Sequence, residues 1–129
     1  MSSKWDESNE ILSKKMSEYA WAVLNGRPAF HVSLIIDVSP NCDCESENDI
    51  PVIPDVGMYA SFDPIALDQA CVDAVNEQKS ISGSVLGSVE HNHKDHFKAM
   101  HPDSEWEAGL VHGEKLGIGT RQYELITVK

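Results

Sequence analysis

The sequence predicts an α/β fold: a small two-layer or three-layer sandwich of about three strands and three main helices. Three observations predict it. Residues 8–25 and 63–79 place apolar side chains at three- and four-residue steps, the spacing of amphipathic helices. Residues 29–38, A-F-H-V-S-L-I-I-D-V, form an extended apolar run. Helical and extended signals then alternate along the chain instead of segregating.

The first helix, over residues 8–25, carries Leu12, Met16, Tyr19, Ala20, Val23 and Leu24 on one face, which is expected to be its buried side. Ser8 or Asp6 can cap it, and Gly26 and Pro28 stop it. In the strand that follows, Phe30, Val32, Leu34 and Ile36 share one face and His31, Ser33, Ile35 and Asp37 the other. It turns apolar on both faces near its end, as a strand covered on both sides does. Residues 39–54 hold Pro40, Pro51 and Pro54 among Asn, Asp, Ser and Glu, and read as a long loop.

A short second strand over 55–61 feeds a helix that Asp63 caps, with Pro64 in the first turn. Its expected inner stripe is Leu67, Ala70, Cys71, Ala74 and Val75. Residues 80–90 read as a Ser/Gly connection into which Val85, Leu86 and Val89 can dock. A short helix from Asp95 to Met100 ends before Pro102. Ser104 and Glu107 have the spacing of a capping box for a last helix lined by Trp106, Leu110, Gly113 and Leu116. The alternating tail over 121–128 reads as the third strand.

At 129 residues the chain is expected to be a single domain, 1–129. A net charge of -11 repels a phosphate backbone and an anionic lipid surface, so neither nucleic acid nor membrane is an expected partner. The same charge attracts cations. The opening residues lack the apolar core of a signal peptide, and no run approaches the roughly 18 apolar residues of a membrane span, so the cytoplasm is the expected location. An odd set of 3 cysteines makes a poor disulfide framework and points to reduced thiols.

Three pieces together resemble a known family. They are I-I-D-V-S-P-N-C-D-C, the block P-V-I-P-D-V-G-M-Y-A-S-F-D-P-I-A-L-D-Q-A, and F-K-A-M-H-P-D-S-E-W-E followed by E-K-L-G-I-G-T-R-Q-Y-E-L-I. They resemble the C-terminal part of the domain-of-unknown-function 362 proteins, whose longer members often carry a ferredoxin-type iron–sulfur segment. The resemblance implies a C-terminal lobe of a longer protein, associated with metal or iron–sulfur chemistry. It also implies a missing N-terminal or ferredoxin lobe, or another copy of the chain in a homo-oligomer, as partner. The ferredoxin pattern C-x-x-C-x-x-C is absent from this sequence.

Cys42 and Cys44 are the leading candidates for chemistry. In an extended segment, residues two apart project to the same side, so both sulfurs can reach one zinc or iron ion. Further ligands would come from Asp43, Asp55, Glu45 or a histidine. Among His91, His93, His96 and His101, the last is preferred because it lies in the family-like piece. The expected metal set is therefore Cys42, Cys44, His101 and Asp55. A pair of reduced thiols in a polar loop is the plain alternative. A complete four-iron cluster within one chain is disfavoured, because it takes four thiolates.

Asp63 is explained as a cap and Asp68 as a solvated side chain, whereas Asp37 and Asp55 flank the thiol loop near strand ends. Cys71 lies on an apolar stripe and reads as core. Two other functions stay open. One is an enzyme whose substrate site is lined by the loop with Asp37 and Asp55. The other is a non-catalytic lobe that pairs with another chain.

Overall fold

The computed structural model describes residues 8–89 and 94–129. His91 and His93 therefore lie outside the described residues. The elements are helix α1 (Asn9–Leu24), strand β1 (His31–Ile35), strand β2 (Gly57–Ser61), helix α2 (Pro64–Glu77), a 3-10 turn (Leu86–Ser88), helix α3 (His96–Met100) and helix α4 (Trp106–Leu116). The mixed α/β class holds, with two strands in the sheet, β1 beside β2. The Val56 amide donates to the Ile35 carbonyl at 2.8 Å at one end of the pair. At the other end the Phe30 and Phe62 rings lie 5.0 Å apart. These two contacts make the strands antiparallel.

The expected third strand is not formed. Residues 121–128 are assigned to no strand, and Leu125, Ile126 and Val128 are 57%, 73% and 90% exposed. At the start of this tail, backbone amides are held by side chains. Arg121 N donates to Glu114 Oε2 at 2.7 Å and Gln122 N to Thr120 Oγ1 at 3.2 Å.

Contacts gather into two units. The first comprises Met1–His31, Ala60–Ala70 and Asp103–Lys129. In it α1 packs along α4, but not through the expected stripe. No residue of α1 is buried, and Met16, Tyr19 and Val23 are exposed. The helix meets α4 through Ser13 and Ser17. The Ser17 hydroxyl donates to the Gly109 carbonyl at 2.6 Å, and a Cβ on Gly109 would sit 3.2 Å from the Ser13 carbonyl oxygen. Small side chains let the two backbones approach. Gly113 does the same for Ile65, whose Cδ1 would lie 2.5 Å from an added Cβ. Helix α4 begins at Glu105 without a side-chain cap, so the Ser104–Glu107 box does not form. Glu107 instead accepts from Arg121 at 2.8 Å. Gly117, at φ 80°, ends the helix in the left-handed conformation that glycine adopts without a Cβ clash.

Asp63 ties the start of α2 as the sequence predicts. Its Oδ1 accepts from the Ile65 and Ala66 amides at 2.9 and 3.0 Å. Its Oδ2 also accepts from Thr120 N at 2.9 Å. Gly119 is required beside it, because a Cβ there would collide with the Asp63 carboxylate.

The second unit comprises Val32–Tyr59 and Cys71–Pro102. Its core is Ile35, Val52, Ile53, Ala74, Val75 and Leu86, with Val38, Val56, Tyr59, Cys71 and Phe97 packed around it. Val52 and Ile53 lie within the stretch read as loop, yet they are 0% and 1% exposed. Pro51 and Pro54 on either side lack a backbone N–H, and the segment is buried without becoming a strand. Strand β1 is covered on one face only. Ile35 is buried, whereas Val32, Leu34 and Ile36, with Met58 of β2, are exposed.

Candidate functional site

The thiol loop is positioned by the strand ends of the second unit. After β1 the chain turns at Asp37, whose φ of 47° is left-handed, a conformation that Asp tolerates better than most side chains. The Asp37 amide donates to Asp55 Oδ1 at 2.9 Å. One residue further, Val52 N donates to the Val38 carbonyl at 2.8 Å, and Ile81 N donates to the Val52 carbonyl at 2.9 Å. The two ends of the loop are thus held together at its base, and buried Pro40 leads into an exposed stretch over residues 41–50.

Within that stretch Asn48 acts as an internal brace. Its Nδ2 donates to the Asn41 carbonyl at 2.9 Å and to Ser39 Oγ at 3.1 Å, while its Oδ1 accepts from the Asn41 amide at 3.2 Å. The next residues close a tight turn, with the Glu45 amide donating to the Cys42 carbonyl at 2.9 Å. Asp43 and Cys44 are the central residues of that turn.

Both thiols are reduced and exposed. Their side-chain interaction shifts the two thiols in opposite directions. It holds the Cys42 thiol below its ordinary value and pushes the Cys44 thiol up. The Asp43 and Glu45 carboxylates oppose ionisation of Cys42. Cys71 stands apart from this pair, half-buried against the core of the second unit.

His101 reaches the same loop. Its Nε2 lies 2.6 Å from the Pro40 carbonyl oxygen. A carbonyl only accepts, so Nε2 carries the hydrogen, and in the neutral ring Nδ1 keeps the lone pair. A backbone carbonyl on one ring nitrogen is the usual support of a histidine that ligates through the other. The Asp55 Oδ1 accepts from the Asp37 amide at the loop base. Among the described residues, no three His, Cys, Asp or Glu side chains stand within reach of one ion. His96 serves the fold: its Nε2 donates to the Gln78 carbonyl at 2.7 Å and its amide to Asn76 Oδ1 at 2.9 Å. Desolvation raises the Asp68 carboxyl above its ordinary value, partly offset by the nearby His31.

Asn48 and Pro40 were not singled out by sequence reasoning. Asn48 sits among Asp, Glu and Ser in a polar run, and nothing in its neighbours distinguishes it. Pro40 contributes only a carbonyl, which no side-chain pattern reports.

The arrangement defines a small mixed α/β chain that presents two exposed thiols on a braced acidic loop. A family model described as a domain of unknown function (DUF362) matches residues 1–73, and the chain belongs to that family. The match includes the thiol loop, the following block and α2 as far as Asp73, whereas the family-like pieces from Phe97 onward lie beyond it. No curated protein and no solved structure matches the chain. Among the described residues, no helix is long and apolar enough to cross a membrane.

Proposed function

We propose that this chain is a metal- or iron–sulfur-associated lobe whose Cys42–Cys44 turn captures a thiophilic ion, zinc or iron. The observation that carries the reading is the presence of two exposed thiols, with one residue between them, on one tight turn. Loss of both thiol protons leaves two thiolates on one turn, the start of a tetrahedral sulfur site. His101 bonds through Nε2 to the Pro40 carbonyl of the same loop and keeps Nδ1 as the nitrogen that would serve as a third donor, and the exposed Asp43, Glu45, Glu47 and Asp49 raise the local cation concentration. Asp55 contributes by holding the loop base. A whole four-iron cluster needs thiolates from a second chain or lobe, because this one has 3 cysteines.

The test is zinc and iron content by mass spectrometry after purification in reducing buffer. One bound ion per chain is expected, lost in the double variant Cys42→Ser/Cys44→Ser and weakened about tenfold or more in His101→Ala. Metal content equal in wild type and double variant would sink the proposal.

A second reading, a lobe that pairs with another chain, draws on the open apolar face of the second unit. Val32, Leu34 and Met58 are 53%, 62% and 66% exposed there. Contiguous apolar surface of this kind marks an interaction site. Sedimentation of wild type against Leu34→Glu tests it: an assembly that the variant dissociates supports pairing, and a monomer in both removes it.

A further inference from the structure

The same turn carries a second chemistry that needs no metal. We propose that Cys42 and Cys44 form a redox-active dithiol that reduces disulfides in neutral or cationic molecules and closes into a disulfide of its own.

Geometry is the first ground. The bond from Glu45 N to the Cys42 carbonyl makes Cys42 the first and Cys44 the third residue of a tight turn. Two trans peptide steps folded in this way bring their Cα atoms to about 5.5 Å, inside the window a disulfide needs. Little backbone movement is required to join the sulfurs.

Access is the second ground. Both cysteines are exposed, and every residue over 41–50 is exposed with them. The turn does not drift, because Asn48 braces Asn41 and Ser39 and the Asp37–Asp55 bond closes the base. An incoming disulfide therefore meets a presented pair, whereas Cys71 is packed against the core.

The surrounding charge sets the substrate class. Asp43, Glu45, Glu47 and Asp49 lie within the same exposed loop, and the chain carries a net charge of -11. Anionic disulfides are repelled from such a loop and cationic ones are drawn to it.

The step balances as follows. The Cys42 sulfur, having given its proton to water, attacks one sulfur of the substrate disulfide. That bond breaks, the leaving sulfur departs as a thiolate, and a mixed disulfide with Cys42 forms. The Cys44 sulfur gives up its proton and attacks Cys42 Sγ, expelling the second substrate thiolate. Two electrons and two protons pass from the chain to the substrate, and the chain keeps an intraloop disulfide.

The experiment uses the full chain, reduced, freed of metal with a chelator and returned to thiol-free buffer. It is mixed with cystamine, a dication, or with oxidised glutathione, an anion. Mass spectrometry of alkylated peptides follows the products. Cystamine is expected to yield the closed 42–44 disulfide with Cys71 still alkylatable. At low salt it should react about tenfold or more faster than oxidised glutathione, a gap that narrows as salt is added. Cys44→Ser is expected to halt at a stable mixed disulfide on Cys42. The proposal is overturned if wild type accumulates mixed disulfides without closing, or if cystamine reacts no faster than oxidised glutathione at low salt. Because the metal is removed beforehand, these outcomes stand apart from those of the metal analysis.

Discussion

The Asp37 amide donates to Asp55 Oδ1 at 2.9 Å across the base of the thiol loop. The sequence separates these residues by the whole acidic stretch, and this bond makes them neighbours. The exposed turn at Cys42 and Cys44 consequently hangs from a fixed point.

Asp55→Ala should leave the Asp37 amide to water and loosen the loop base. A loss of about 1 kcal/mol in urea unfolding is expected, the net worth of one hydrogen bond to a charged or polar partner. Asp37→Val should cost more than Asp37→Gly, because a β-branched residue resists the φ of 47° that glycine accepts freely. Equal stability of the two Asp37 variants would contradict this account of the turn.

Asp63 and Gly119 should behave as a coupled pair. Asp63→Ala removes the cap of α2 and the bond to Thr120, for a loss of about 1–2 kcal/mol. Gly119→Ala collides with the carboxylate in wild type but not in Asp63→Ala. A double-mutant cycle should therefore return an interaction energy of about 1 kcal/mol or more, and additivity would show that the close approach is not felt.

Gly113→Ala tests packing against helix propensity. Propensity alone favours alanine by about 1 kcal/mol. The added Cβ would meet Ile65 Cδ1 at 2.5 Å, and overpacking of this kind costs about 1–3 kcal/mol. Net destabilisation is expected, relieved when Ile65→Val is added.

Asp68 sets a pH dependence. Its folded carboxyl is raised above the ordinary value by desolvation, so the folded state binds this proton more tightly than the unfolded chain does. Stability from this group is greatest below the unfolded pKa and declines as pH rises through the raised folded value. It is then flat toward neutrality. The side chain keeps solvent contact, so the slope is shallow. Asp68→Asn should flatten the urea midpoint against pH from about pH 4 upward and raise it slightly at neutral pH. A midpoint that falls in the variant would reverse the assigned sign.

Legibility in the sequence followed how local each signal was. Helix α2 was legible because Asp63, Pro64 and the stripe from Leu67 to Val75 act within one element. Helix α1 was legible as a helix but not in its orientation. Its apolar face is exposed, and it meets α4 through Ser13 and Ser17 because Gly109 permits close approach. The tail carried strand-like alternation, but pairing is a property of two segments and only one was visible. Val52 and Ile53 were hidden between prolines. At the site, the sequence offered Cys42, Cys44, His101 and Asp55 as candidates but gave no sign of the bond between Asp55 and the Asp37 amide. A side chain bonding to a distant backbone amide leaves no pattern in either segment.

The three cysteines differ in one further respect. Cys42 and Cys44 are exposed, whereas Cys71 is half-covered by the core of the second unit. With the exposed pair blocked, the rate at which an alkylating reagent reaches Cys71 becomes a native clock for opening of that core, with no dye or label introduced.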